Sequence, residues 1–466
     1  MANHLSKSDI LSFFNLEDEN IEDISLTNRD NLFIATVSLC PDYPPCPSCG
    51  FERVKIKDYT TKKINHSIFT DRECLINYKA RRYRCPICKR SYYEHNPFTF
   101  RSSKISALTV QNILRDLKNP SDTFASVARR YHVSPTTAAS IFDKHVQMAR
   151  LPLPEYIAWD ECYAFQHPHY NSKYVFTILD LVTLDPVDIF PSRKKEHLER
   201  YFREIPIEER QGVKMIATDM YHEFRSIIRK MFPQAIHCVD HYHVSQELSR
   251  KVDSVRLRVM NSIEKYHKDT KSQTDEYYLL KKFNWLIFKR EDTRAKDKQL
   301  LFDPNRKKVF NRKLQRYLNY YDIRNLIVAI HPDLKSAWII KDDLVDFYNN
   351  NTYETADEAL KELIQAFYNS GIEEMEAFGK TLRNWHKEIV NSFIVFKHSY
   401  TVDKETGQVV VSAQKMNTGV LENRNSILKA IKKNSNGYTN WERFRNRCLY
   451  ILRKNAVPLL HPIEDK

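Results

Sequence analysis

The sequence predicts a multidomain α+β protein. Three observations carry that expectation. Two C-P-x-C pairs stand near the N-terminus. A helical apolar pattern soon after them breaks at a Ser-Pro step. Strand-like apolar runs punctuated by aspartates follow, and then a long helical stretch.

The totals set the frame. A chain of 466 residues is too long for one ordinary core and implies about three or four domains. Only seven glycines are present, which argues against Gly-rich phosphate loops of the Rossmann or P-loop kind. The formal net charge of +14 favours a polyanionic partner, with nucleic acid first. No apolar run approaches ~18 residues, so no membrane span is expected. The N-terminus lacks the basic start and apolar run of a secretory leader, so a reducing cytoplasm is expected. Nine cysteines in that compartment read as metal ligands rather than disulfides.

The first element is a zinc clamp. Cys46 and Cys49 in "CPSCG", with Cys85 and Cys88 in "RRYRCPICKR", offer four thiolates to one tetrahedral Zn²⁺. The intervening "RVKIKDYT" and "ECLINYKARRYRC" alternate as short strands do, giving a ribbon-like unit too small to fold without the metal. The interval exceeds the usual ~15–20 residues. Cys40 and Cys74 fall outside the pairs, and His66 and His95 are substitute ligands. Arg81, Arg82, Arg84, Lys89 and Arg90, interleaved with tyrosines, form a candidate DNA-contacting surface.

The second element is a helix-turn-helix within "DTFASVARRYHVSPTTAASIFDKHV". Ser134 caps its second helix and Pro135 takes the first helical position. Ala139, Phe142 and Val146 would face inward, leaving Thr136, Thr137 and Ser140 for the major groove.

A proline-rich linker leads into the third element. The order there is strand, strand, strand, helix, strand, helix, strand, ending with "AIHCVDHYHV" as the last strand, a mixed sheet flanked by helices. Asp160 lies within "YIAWDECYAF" and Asp219 ends the strand "VKMIATD". Such sheets place ligands at the carboxyl ends of their strands, and two buried carboxylates there ask for a divalent cation. A register slip of one residue would make Glu161 the inward group instead. The segment from His243 to Asn417 is helical in period until the hairpin pattern "SYTVDKETGQVVVSA", and its "FDPNRKKVFNRKLQRY" is either a DNA-lining stretch or a solvated face. A late helix from Thr418 to about Asn434 carries Glu422, Asn425 and Lys429 on one stripe, which would supply a third carboxylate and a phosphate-gripping lysine.

Together, the cysteine pairs, the helix-turn-helix, "WDE", "TDMYHEFRSIIRKMFP", "VDHYHV" and "GVLENRNSILKAIKKNSNGYTNWERFRNR" resemble the ISL-three group of insertion-sequence transposases in the right order over nearly the whole chain. The resemblance implies an RNase H-like α/β catalytic core with its acidic triad at Asp160, Asp219 and Glu422; the helical period of the long intervening segment makes the insertion that interrupts it all-α. The resemblance also implies two Mg²⁺ or Mn²⁺ ions on that triad, a structural Zn²⁺, double-stranded DNA as partner, and a homo-oligomer that is nucleoid-associated when at work. Asp240 and His243 match the D-x-x-H signature of relatives with helical insertions, and Asn425 joins them as a possible accessory residue. The expected organisation is an N-terminal segment (1–39), a zinc-binding domain (40–98), a helix-turn-helix (99–150), the core in two parts (151–250 and 411–466) and the insertion (251–410). Two other readings compete. A zinc-ribbon/helix-turn-helix regulator would bind DNA without cutting it. A tyrosine recombinase, prompted by the short H-x-x-R matches "HLER" and "HEFR", would form a covalent adduct with DNA.

Overall fold

The computed structural model describes the chain except residues 1–5, 17–19, 30, 70–71, 101–102, 270, 403–408, 416–418 and 460–466, and describes 398–402, 409–415 and 420 by backbone alone. Ser6 opens it. Its hydroxyl accepts from the Asp9 N–H while Asp9 accepts from the Ser6 N–H, a capping box that starts α1 (Lys7–Phe14). Strands β1 (Ile21–Arg29), β2 (Leu32–Leu39), β3 (Lys55–Asn65), β4 (Glu73–Arg84) and β5 (Ser91–Tyr93) form one sheet in the order β1-β2-β4-β3, with β5 on β4. The strands before the first cysteine pair therefore belong to the same sheet as those between the pairs. In β4, Cys74, Ile76, Tyr78 and Ala80 are buried against α1, as the period of two requires.

Three helices follow: α2 (Ala107–Asp116), α3 (Phe124–Arg130) and α4 (Pro135–His145). Ser134 caps α4 by accepting from the Thr137 N–H, with Pro135 at the first position. His132, in the turn before it, takes a positive φ of 51° where helix-turn-helix units often place glycine. Val127, Ala128, Ala138, Phe142 and Val146 close the core.

The second sheet is built from β6 (Tyr156–His167), β7 (Ser172–Asp180), β8 (Pro186–Phe190), β9 (Met215–Thr218) and β10 (Ile236–Val239), in the order β10-β9-β6-β7-β8. Helices α5 (Lys195–Arg203) and α6 (Ile207–Gln211) connect β8 to β9, and α7 (His222–Met231) connects β9 to β10. Both β6–β9 and β9–β10 pairings are parallel. On one face Trp159 is fully buried among Phe176, Phe202, Phe224 and Phe232, with ring centroids 4.9–5.9 Å away. A cluster of that kind fixes the strand that carries Asp160, and truncating such a ring costs about 3–5 kcal/mol.

The strand expected over "AIHCVDHYHV" stops at Val239. Asp240 then caps a helix, accepting from the Tyr242 N–H, so "HYHV" is the first turn of α8 (His241–Ser262). A mainly helical region follows: α9 (Asp275–Lys282), a 3₁₀ turn (Asn284–Phe288), α10 (Tyr320–Ala329), α11 (Pro332–Asn350), α12 (Tyr353–Tyr368), α13 (Glu373–Asn384) and α14 (His386–Asn391). It is not purely helical. A short hairpin, β11 (Val309–Asn311) with β12 (Arg316–Leu318), interrupts it within the basic stretch. Asn311 makes that turn by accepting from the N–H groups of Lys313 and Leu314. Strands β13 (Val395–Val402) and β14 (Val409–Lys415) form the late antiparallel pair the sequence predicts, with their connecting residues outside the described part. Helices α15 (Gly419–Asn434) and α16 (Trp441–Leu452) end the fold; Thr418 lies outside the described residues. The chain divides into two units, residues 1–150 with 163–167 and 426–466, and residues 151–162 with 168–425.

Candidate active site and zinc centre

The two cysteine pairs sit on matching turns. The Cys46 N–H donates to Phe51 O and the Gly50 N–H to Cys46 O, while the Cys85 N–H donates to Arg90 O and the Lys89 N–H to Cys85 O. Both turns need a left-handed residue just after the second cysteine: Gly50 at φ 70° and Lys89 at φ 61°. The Sγ–Sγ distances are 3.5 Å for Cys46–Cys88 and 3.6 Å for Cys49–Cys85. Zn–S bonds of about 2.3 Å in a tetrahedron imply edges of roughly 3.8 Å, so the four sulfurs fit zinc. Burial opposes ionisation of Cys46, but the N–H groups of Ser48 and Cys49 outweigh it and hold the thiol down at about 6. Cys85 is lowered in the same way by Cys88 and Ile87. One thiol of each turn is thus favoured as thiolate, while for Cys49 the Phe51 N–H is outweighed by burial and the neighbouring thiols, which push it up to about 12. The four-sulfur cluster supports structural Zn²⁺. Of the histidines considered as substitutes, His66 is engaged elsewhere, buried between Phe14 O and Ser106 Oγ.

The basic residues around the second pair divide by burial, because the inward face of β4 shifts by one residue after Ala80. Arg81 faces inward, 3% exposed, and is ion-paired to Glu94 and Glu22 at 3.2 and 2.9 Å. Its expected place on a DNA surface is corrected: a guanidinium spent on two carboxylates in a core is a structural group. Arg82 is half-buried and paired with Asp58, whereas Arg84, Lys89 and Arg90 are exposed. On α4, Thr136 and Ser140 are exposed, while Thr137 is partly buried with its hydroxyl on Ser134.

In the second sheet, Ala158 pairs with Ala217 across parallel strands, so continuing the register sets Asp160 beside Asp219. Val239 pairs with Thr218, which sets Asp240 beside Asp219 on the other side. Three aspartates thus stand at one level, Asp160 within β6 and Asp219 and Asp240 just past the carboxyl ends of β9 and β10. Alternation gives Asp160 the face of Ala158 and Ala217, where Leu421 of α15 packs, and gives Glu161 the face of Trp159. Asp160 is 7% exposed, accepting from the Glu161 N–H at Oδ1 and from Asn425 Nδ2 at Oδ2, 2.6 Å away. Burial pushes its carboxyl up to about 7, and the charges of Asp219, Glu161 and Glu422 push the same way. Burial also raises Asp219, countered by His243, by the Tyr221 N–H and by Arg193.

Each remaining residue has a definite place. Asp240 is fully buried and caps α8. His243 lies near enough to act on Asp219, with its Nε2 buried and unpartnered. Asn425 is 4% exposed and Lys429 is exposed. Glu422 is half-buried beside Leu421. Among the described residues, only the four cysteines bring metal-ligand atoms all within 4.8 Å of one another; Asp160, Asp219 and Glu422 share a face without closing to that distance. Like charges desolvated together repel. Sequence reasoning missed Arg193. It is ion-paired to Glu161, lies over the Tyr174 ring at 3.8 Å and acts on Asp219, a cation placed among the acids by the loop after β8. No motif marks it; its only signal is the first position of a basic run, Arg193 to Lys195, after a strand.

Comparison with known proteins agrees with this organisation. The profile of a transposase family, the ISL3 type of DDE transposase, matches residues 157–401. The zinc finger of the IS204/IS1001/IS1096/IS1165 transposases matches residues 42–88. The chain is similar to the transposase for insertion sequence element IS1001 of Bordetella parapertussis, 21% identical over 405 residues that cover 86% of each protein. The zinc turns and the acid-bearing sheet with its long insertion are accounted for by one relationship: the chain belongs to the ISL3 family of DNA transposases.

Proposed function

We propose that this transposase cuts and joins DNA with Asp160, Asp219 and Glu422 as the ligands of two Mg²⁺ or Mn²⁺ ions, on a core of the RNase H-like type. The observation that carries the reading is the register of Asp160 with Asp219 on parallel strands, with Glu422 close enough to raise the Asp160 carboxyl. The donor set fits hard cations: all oxygen, desolvated and mutually repelling. Bound there, the ions would activate a water and then the freed 3′ hydroxyl for in-line attack on phosphorus and stabilise the leaving oxygen. The chain's own groups do the rest. Asn425 holds α15 to Asp160, and Arg193 holds Glu161 on the opposite face while its charge favours the ionised form of Asp219.

The N-terminal zinc unit and the α3–α4 pair, read as a helix-turn-helix, would bind the element ends. Arg84, Lys89 and Arg90 would contact phosphates, Thr136 and Ser140 would face the groove, and Lys429 would contribute a further phosphate contact. Joining two ends requires two active sites, so the working form is at least a dimer, at the nucleoid. Among the described residues, no helix is long and apolar enough to cross a membrane.

The test is incubation with DNA carrying the element's ends and Mn²⁺. Wild type cleaves, Asp219→Ala binds without cleaving, and no protein–DNA adduct forms. Equal cleavage by both would reject the site. Binding without cleavage by the wild type would favour a regulator, and a covalent adduct would favour a tyrosine recombinase.

A further inference from the structure

Within the helical insertion, the β11–β12 hairpin combines two unusual properties. Its rings are exposed: Tyr317 is 68% and Phe310 42% accessible, paired with centroids 5.1 Å apart. Its segment from Arg306 to Arg316 carries six cations and no acid. Leaving large rings in water is unfavourable unless a partner covers them. Beside the hairpin lies a cavity of about 670 Å³, the size of a nucleotide-scale site, and no carboxylate lines it.

The surrounding ion pairs show which cations are available. Arg306 is held by Asp297 at 2.5 Å, Lys308 by Asp322 at 2.9 Å, and Lys313 lies 3.8 Å from Asp275. Among the described residues, Lys282, Lys307 and Arg312 line the cavity without a carboxylate partner. The floor is fixed: Asn319 caps α10 and donates from Nδ2 to Pro304 O and Arg306 O, holding the loop beneath the hairpin. Free positive charge beside exposed aromatic faces suits a phosphate joined to a planar ring. Paired DNA offers phosphates and base edges but no open base faces.

We propose that the β11–β12 hairpin and its cavity bind an unpaired nucleotide of the DNA substrate, with its phosphate on Lys282, Lys307 and Arg312 and its base against Phe310 and Tyr317. The site rests on DNA being the substrate and is separate from the acidic cluster. It gives the insertion a role in holding a strand opened at the element end.

The full-length, zinc-loaded protein is titrated by fluorescence anisotropy against an oligothymidylate of about fifteen nucleotides and against a blunt duplex carrying the element end. The Phe310→Ala/Tyr317→Ala double variant should weaken oligothymidylate binding about tenfold or more, with duplex binding within about twofold. Lys307→Glu/Arg312→Glu should weaken it too and flatten its salt dependence. Unchanged melting temperatures confirm that exposed side chains alone were altered. Wild-type affinity in both variants, or equal losses for both DNAs, overturns the proposal. Wild type binding duplex but not oligothymidylate overturns it and leaves the transposase reading intact; binding neither overturns both.

Discussion

Asn425 donates a 2.6 Å hydrogen bond to Asp160 across a sequence separation of 265 residues. With the packing of Leu421 near Ala158, it ties the helix of Glu422 to the strand of Asp160. Asn425→Ala removes it and leaves a buried carboxylate short of a donor, a loss on the order of 1.5–3 kcal/mol. End cleavage should fall roughly 10- to 100-fold while end binding stays intact. Mn²⁺-dependent cleavage assays beside gel-shift titrations read both. Unaltered cleavage would remove Asn425 from the site.

Stability without divalent metal should fall with rising pH. The Asp160 carboxyl moves from 3.8 to about 7 on folding, so between those values the folded protein binds more protons than the unfolded chain. Stability is therefore fully present below the unfolded value and lost as pH rises through 7, by on the order of 4 kcal/mol. Thermal melts from pH 5 to 8 in chelator should show the decline. Asp160→Asn should make it shallower, the raised Glu161 and Asp219 carboxyls leaving a residual decline, and Mn²⁺ should restore the wild type but not the variant.

Zinc should be released by a thiol-competing chelator together with the N-terminal structure. Cys85→Ser should lose the metal, measured colorimetrically, and abolish duplex binding, because the ribbon cannot hold itself without its clamp. Melting of the remaining chain should persist as a separate transition.

Arg81 and Arg84 should behave oppositely although both are basic residues of one strand. Arg81→Ala strands Glu94 in a core and should cost on the order of 3–5 kcal/mol, seen as a lower melting temperature. Arg84→Ala should leave melting unchanged and weaken duplex binding with a shallower salt dependence. A reversed pattern would mean that the surface has been read from the wrong face.

That pair also marks how far sequence reading reaches. Apolar periodicity located the strands of Asp160 and Asp219, and the cysteine spacing located the zinc turns, because each signal is local. A strict period of two from Cys74 through Ala80 would bury Arg82 and Arg84 rather than Arg81; the buried face shifts after Ala80, near the irregularity in the β3–β4 register, and no local signal marks that shift. Asp240 before a helical run was legible as a cap and was passed over for a strand. Other features were beyond reach. The three-residue strands β11 and β12 are too short to show a period, and Arg193 owes its position to where a loop crosses the sheet. The level of the three aspartates depends on strand register, which no single segment encodes.

The insertion between β10 and α15 also orders events in time. A ribosome releases the two sheet aspartates long before the residues that bring Glu422, so a half-made chain carries its zinc turns but an incomplete acidic site. Contacts this far apart along a polypeptide form late in folding. With Glu422 as the proposed third ligand, cutting competence would arrive only once α15 is made, and copies truncated before it would occupy DNA without breaking it.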